Sequence, residues 1–455
     1  MEAWQTHIDA ESSDQLLVER VVNGVVRALR QVRWIRINTL RTTLAKELGV
    51  TFPAFDSTHT VSDIVHASGG RPLAIDSTIP NLVAITRGVD LSKTEVYREG
   101  KIIFQDKASC FPAYLLDPQP MDGDIIDACA APGNKTTHLA ALLAEARAIG
   151  VGSTGNCSHP RIFACERDVA RSATLQKMVR VACADEKIQV ECLVGQDFLR
   201  LDPQDKRWKN VGALLLDPSY SGSGIIGRDD GDVQPTIKLR LPRPPWQIQI
   251  DDAPKIQGKK RKRTNGPPAT DGPSKPLTTE DSSPSDDEDQ DKSLLNRLTA
   301  LSAFQLKLLE HAFHFPAARK VVYSTCSVHA EENEHVVLRA LSSSIARERG
   351  WRVLRREEQI RGMNEWKTRG SVDALNTFTS NDSETHEIGV LNTDEVIEAC
   401  LRCDKWTEEG TQGFFVVGFV RDVGAQPVDG AQAVTGAEAV AKDGGDEEWS
   451  GFGDV

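Results

Sequence analysis

The chain has 455 residues, 39% of them hydrophobic and 26% charged, with a formal net charge of −12. It is long enough for two or three globular domains, and it shows neither an apolar run of about 18 residues nor a charged-then-apolar leader, so a membrane span or secretory signal is not expected. The acidic balance does not exclude a nucleic-acid partner, because much of the acid is concentrated in EDSSPSDDEDQD (280–291) and around Gly444–Glu448 rather than spread over a groove.

Residues 1–32 read as a helical start. Residues 33–100 read as a small α/β module: RWIRINTL is an alternating strand with Arg33, Arg36 and Arg41, and TTLAKELGV is a helix ended by Gly49. From 101 to 421 strand and helix alternate: DIIDACA, TTHLAALLAEA, RIFACE, ARSATLQKMVRVACA, VECLVGQD, GALLLD. That order predicts a mostly parallel α/β sheet. Between 240 and 292 the periodicity stops, and prolines and mixed charge runs predict a disordered insertion. Within it, Lys259, Lys260, Arg261, Lys262 and Arg263 form a basic run that reads as a nuclear import signal. After it come the amphipathic helix LLNRLTALSAFQLKLLEHAF, a strand leading to Cys326, and the closing strand GFFVVGFV. Residues 422–455 are expected to be a disordered acidic tail.

The nine cysteines are scattered, and Cys165, Cys183 and Cys192 lie in apolar runs, the pattern of reduced thiols rather than of a disulfide framework. Cys400 and Cys403 form a lone CxxC with no further ligands at zinc spacing, so no metal site is expected and the pair reads as part of a surface helix.

Chemistry concentrates at strand ends. LLLDPSYSGSG delivers Asp217 and Tyr220, and VVYSTCSVHAEEN delivers Cys326 at the polar end of its strand. A carboxylate and a thiol side by side suit attack on an electron-poor ring carbon. DACAAPGNKT (127–136) forms a strand-to-helix turn whose small residues and helix N-terminus suit a negatively charged ligand group. It is not a Walker loop, since Asn134 separates Gly133 from Lys135, and no GxGxxG fingerprint is present. Glu166, Asp197 and Asp217 follow as acids closing successive strands, and a carboxylate at the second strand end suits a ribose diol. Glu166 comes late after the glycine turn because GVGSTGNCSHP (150–160) is inserted, a segment expected to be exposed.

FQDKASC, DACAAPGNKT, DPSxSGSG and YSTCSVHxEEN together resemble the Sun-domain family of RNA cytosine-5 methyltransferases, and within it the eukaryotic branch acting on large-subunit ribosomal RNA. The resemblance runs from about RINTL to GFFVVGFV. It implies a class I S-adenosylmethionine-dependent methyltransferase (Rossmann-like) sheet, preceded by a small RNA-recognition-like α/β module. Carried over by motif, Cys129, Ala130, Ala131, Pro132, Gly133, Asn134 and Lys135 hold the methionine part of S-adenosylmethionine. Glu166 takes the ribose with Arg171 beside it, Asp197 lies near the adenine, and Asp217 lies between cofactor and base. Cys326 is the nucleophile that attacks cytosine C6. The same resemblance implies ribosomal RNA or a pre-ribosomal particle as partner; the basic run implies an import receptor, and the two together a nuclear, nucleolar location, with a monomer expected. The branch usually carries a longer helical N-terminal extension, expected here to be truncated or absent. One position departs from the pattern: Tyr220 stands where the family has a cysteine that assists release. Slow turnover is therefore expected, the alternative being a catalytically impaired RNA-binding or ribosome-assembly factor on the same scaffold.

Overall fold

The computed structural model describes residues 32–225 and 285–422, apart from 59, 68, 87, 151–159, 184–187, 375–377, 379–391 and 406. Of the expected helical start only Val32 is described, and it opens a strand; the inserted loop from 151 to 159, the basic run and the tail beyond 422 lie outside the described residues.

Two sheets organise the chain. The first contains β1 (Val32–Ile37), β2 (Asp56–Thr58), β3 (Pro72–Ile75), β4 (Leu82–Thr86) and β5 (Ile102–Phe104), in the order β2-β3-β4-β1-β5. Helices α1 (Leu44–Val50) and α2 (Val61–His66) punctuate it. α1 is capped by the Thr43 hydroxyl and runs through Gly49 to a cap at Thr51, one residue beyond the expected stop. α2 carries a reciprocal Thr60–Asp63 capping box. A division at residue 100 would cut this sheet, because β5 pairs antiparallel with β1.

Helices α3 (Glu95–Arg98) and α4 (Lys107–Leu116) flank β5 and lead to the second sheet. Its strands are β6 (Asp124–Asp127), β7 (Ile162–Glu166), β8 (Val190–Val194), β9 (Val211–Leu216), β10 (Lys320–Thr325), β11 (Trp351–Val353), β12 (Leu401–Cys403) and β13 (Phe414–Arg421). Helices α5 (Asn134–Gly150), α6 (Val169–Ala182), α7 (Ser285–Phe313), α8 (Glu334–Ser342), α9 (Ser344–Arg349) and α10 (Thr393–Ala399) alternate with them. The spatial order is β11-β13-β10-β9-β6-β7-β8, with β12 on β13. Strands β10, β9, β6, β7 and β8 are parallel, and β13 runs antiparallel to β10. The runs IFACE and VGALLL are buried throughout because helices cover both faces, which is why they read as continuous apolar segments rather than alternating ones. Strand order reverses between β7 and β9 around β6, the point where open α/β sheets leave a ligand crevice.

Two expectations need correction. α7 begins at Ser285, so the acidic end of the stretch marked as disordered is helical. Cys400 and Cys403 are buried, not on a surface helix: Cys400 caps α10 and Cys403 closes β12.

The two sheets are joined by buried polar groups. Trp34 Nε1 donates to Gly410 O (2.8 Å), and Asn38 Nδ2 donates to Gly100 O (2.7 Å) and Ala182 O (3.0 Å). Lys107 Nζ sits 2.8 Å from Asp76 Oδ2 and 2.8 Å from Glu409 Oε2, and 5.5 Å and 5.1 Å from the Trp34 and Trp366 ring centroids. Lys107 and Asp76 side chains are almost fully buried, at 3% and 4% exposure, so each charge depends on the other. Removing one partner of such a pair strands the other charge in a low-dielectric interior.

Lys107→Met is therefore expected to lower unfolding stability by about 3–5 kcal/mol, and Lys107→Met/Asp76→Asn to recover part of that loss, as read from urea unfolding midpoints. A second prediction concerns Asp127 at the end of β6, where burial pushes the carboxyl up from 3.8 to about 7 despite a hydrogen bond from Thr136 Oγ1 at 2.7 Å. Between about pH 4 and 7 the unfolded chain has released this proton while the folded chain keeps it, so stability contributed by the neutral carboxyl is lost as pH rises. The melting temperature of Asp127→Asn should gain on the wild type by at least about 2 °C across that window. An unchanging difference would refute the assignment.

Candidate active site

The carboxyl ends of β6, β7, β9 and β10 open into one cavity of about 600 Å³. Its lining includes Cys129, Ala130, Ala131, Pro132, Asn134, Lys135, Glu166, Arg171, Asp197, Asp217, Tyr220 and Cys326. Of the residues singled out from sequence, only Gly133 is not among the lining groups. It is buried at φ +110°, and a Cβ there would meet Met178 Cβ and Cγ at 3.1 Å and Leu175 Cδ1 at 3.2 Å. Its contribution is to let the turn lie down on α6.

At one end of the cavity the buried Glu166 carboxylate accepts from Asp168 N (2.9 Å) through Oε1, and its Oε2 lies 3.5 Å from Arg171 Nη2. Arg171 Nη2 also donates to Ala131 O (2.8 Å), fastening the small-residue turn to the β7 end. Asp197 accepts from Leu199 N (3.0 Å), which turns Phe198 inward as part of the wall with Leu308.

At the other end, Lys135 Nζ is 2.7 Å from Asp217 Oδ2 and donates to Ser109 Oγ (3.2 Å), and it lies 5.6 Å from the Phe414 ring centroid. Ser324 Oγ donates to Asp217 Oδ1 (2.7 Å). Both carboxylate oxygens are thus oriented, one from α5 and one from β10. Lys135 is held charged: burial opposes its protonation, but Asp217 and Cys326 outweigh that and raise its pKa. Cys326 is partly buried, and desolvation with Asp217 nearby pushes its thiol up to about 12, while Lys135 and the Tyr220 hydroxyl, which donates to the sulfur, pull the other way. Cys129, within the turn, is pushed well above the ordinary thiol range by burial and by Asp127 and Asp217. Of these two thiols it is Cys326 that has an ammonium and a hydroxyl donor acting against the effect of burial.

The Tyr220 segment is held from behind. Glu332 Oε1 accepts from Ser221 N (2.9 Å) and from Gln305 Nε2 (2.9 Å), and Gln305 Nε2 also reaches Ser219 O (3.0 Å). Arg297 Nη2 donates to Ser221 O (3.0 Å). Helix α7 therefore grips the loop that carries Tyr220. Sequence reasoning missed Ser109, Ser324, Gln305 and Glu332. Ser109, Ser324 and Glu332 lay inside quoted motifs, but polar residues of that kind are equally at home on a surface.

Residues 113–240 match the family model "16S rRNA methyltransferase RsmB/F". The chain is 34% identical to the 25S rRNA (cytosine-C(5))-methyltransferase rcm1 of Schizosaccharomyces pombe, over 84% of this chain and 62% of that protein. It is 32% identical to the 28S rRNA (cytosine-C(5))-methyltransferase of Mus musculus, over 74% of this chain and 57% of that protein. The chain thus spans about three fifths of the length of these curated relatives. A solved methyltransferase homologue from Pyrococcus horikoshii superposes with a TM-score of 0.51 over 87% of this chain and 88% of its own, at 18% identity. That likeness identifies the second sheet as the Rossmann-like fold of class I methyltransferases. Residues 113–240, which carry several of the cavity-lining motifs, thus resemble the RsmB/F (Sun-domain) methyltransferase family.

Proposed function

We propose that the protein is an S-adenosylmethionine-dependent RNA (cytosine-5) methyltransferase acting on large-subunit ribosomal RNA. The observation that carries this reading is the convergence of Asp217, Lys135 and Cys326 at one end of a cavity whose other end is closed by Glu166 and Asp197. The residues present fit the cofactor: small side chains from Ala128 to Pro132 leave room for it, and the Glu166 carboxylate is placed as an acceptor for a diol. When bound, S-adenosylmethionine supplies an electrophilic methyl group on a sulfonium.

The chain's own residues do the rest. Cytosine C5 is too weakly nucleophilic in the aromatic ring; bonding of the Cys326 sulfur to C6 converts the ring to an enamine with an electron-rich C5. Asp217, fixed by Ser324 and Lys135, accepts a hydrogen bond from the cytosine amino group, and a proton passed to N3 through its carboxyl neutralises the charge that builds there. Lys135 stabilises the thiolate before attack. Once C5 carries the methyl, its proton leaves to a base, the C6–S bond breaks, and the pair of electrons returns to sulfur. Tyr220 donates a hydrogen bond to that sulfur, which favours the departing thiolate. A phenol with an ordinary pKa near 10 is nevertheless a poor base for the C5 proton. The same observation supports a second reading, an RNA-binding or ribosome-assembly factor in which the covalent adduct resolves slowly. The proposed partners are ribosomal RNA or a pre-ribosomal particle, met by the protein as a monomer. The small α/β module of residues 33–104 is proposed to present the RNA, and the basic run 259–263 to engage an import receptor for nuclear and nucleolar delivery.

Methyl incorporation into large-subunit ribosomal RNA should be abolished by Cys326→Ser and reduced about 100-fold or more by Asp217→Asn. Tyr220→Cys should raise turnover if release limits it; wild-type incorporation of zero would favour the second reading. Deleting 259–263 should shift a fluorescent fusion out of the nucleus, and unchanged nuclear signal would remove the import proposal.

A further inference from the structure

A chain of hydrogen bonds leads from the first sheet to the reactive end of the cavity. Arg36, on β1, is a fully buried arginine at 1% exposure, an expensive placement unless its donors are used. Its Nε donates to Gln105 Oε1 (2.8 Å), and its Nη2 donates to Thr137 Oγ1 (2.9 Å) and to Asn134 O (3.4 Å) on the first turn of α5. Gln105 is buried, and its Nε2 donates to Ser109 O (3.0 Å). Ser109 lines the cavity and its hydroxyl accepts from Lys135 Nζ (3.2 Å). Lys135 in turn meets Asp217 Oδ2 at 2.7 Å.

We infer that Ser109, seated by Gln105 and Arg36, is a positioning residue for the Lys135 ammonium, so that the N-terminal sheet is structurally part of the active site. An ammonium has three donors and no preferred direction of its own. Asp217 already takes one of these donors at 2.7 Å, and with that contact alone the ammonium could swing about it and away from the sulfur. The Ser109 oxygen supplies the second fixed point. Ser109 owes its place to the start of α4, capped by Asp106, whose side chain accepts from Ala108 N (3.0 Å). The Gln105 amide clamps that start to β1, and no other element contributes the Arg36 donor. The inference rests on and deepens the methyltransferase reading, in which Lys135 stabilises the Cys326 thiolate, but its test does not depend on that activity.

The titratable groups facing Cys326 and Lys135 are Asp106 ahead of α4, Asp127 on β6, Asp217 after β9 and Tyr220 beside it. In the full-length chain, the rate of iodoacetamide alkylation at Cys326, followed by site-resolved mass spectrometry across alkaline pH, reads the thiolate fraction directly. Ser109→Ala should slow it by about tenfold, the effect of one unit in the thiol pKa. Ser109→Thr, which keeps the hydroxyl, should restore the wild-type profile. Gln105→Met, which keeps length and apolar packing, should slow alkylation as well, and Ser109→Ala/Gln105→Met should be no slower than the slower single variant, the non-additivity expected of members of one chain. Cooperative thermal unfolding of each variant shows that the fold is retained. Alkylation in Ser109→Ala at or above the wild-type rate, or single effects that multiply in the double variant, would overturn the inference. Methyl transfer measured in parallel separates the two readings: a wild type without methyl transfer but with the alkylation pattern intact would overturn the function while leaving the positioning role standing.

Discussion

The Lys135–Asp217 ion pair is the contact on which the site depends. It joins the first turn of α5 to the end of β9, and the second Asp217 oxygen is taken by Ser324 at the end of β10. Three elements far apart in sequence are thereby held in one geometry. Both side chains of the pair are largely buried, at 12% and 17% exposure, where an unpaired charge is costly. The surrounding structure supplies what the pair needs: a parallel sheet buried on both faces, with its strand ends in register, and helix N-termini beside them. The thiol at Cys326 gains from this arrangement without being part of it. Burial, and then Asp217, push its proton affinity up, Lys135 and Tyr220 pull against them, and the balance is adjustable by anything that moves the ammonium.

The second organising feature is that the two sheets are not independent. Arg36, Asn38, Trp34 and Lys107 all reach across the junction with buried polar contacts, which offset much of the cost of burying them, Arg36 Nη1 alone of that guanidinium's nitrogens being left without a partner. A junction of this kind is specific in position. It fixes the first sheet in place relative to the Lys135 and Cys326 end of the cavity.

The Tyr220 loop shows how a single side chain can be framed by structure. Gln305, Arg297 and Glu332 secure the backbone on either side of it, so the hydroxyl is delivered to the Cys326 sulfur by a loop tied to α7. At the far end of this loop Gly224 N donates to Cys326 O (2.9 Å), so the loop is also tied to the backbone beside the thiol.

Much of this was legible in the amino-acid sequence. Apolar runs ending in Asp127, Glu166, Asp217 and Cys326 announced parallel strands and the groups at their ends, because a strand buried on both faces has to be apolar until it reaches its functional terminus. Of the candidates that the motifs singled out for the site, all but Gly133 line the cavity, and Gly133 packs on α6. What local pattern could not show was pairing between distant segments. β5 joins the first sheet, Cys403 lies in a strand, Arg36 is buried rather than displayed, and Ser109, Ser324 and Gln305 have partners 26, 107 and 86 residues away. The sequence by itself determined which chemical groups stand at the strand ends, since that follows from local hydrophobicity and motif. Only the tertiary structure decided which of them touch, because hydrogen bonds and ion pairs depend on distances that chain separation does not encode.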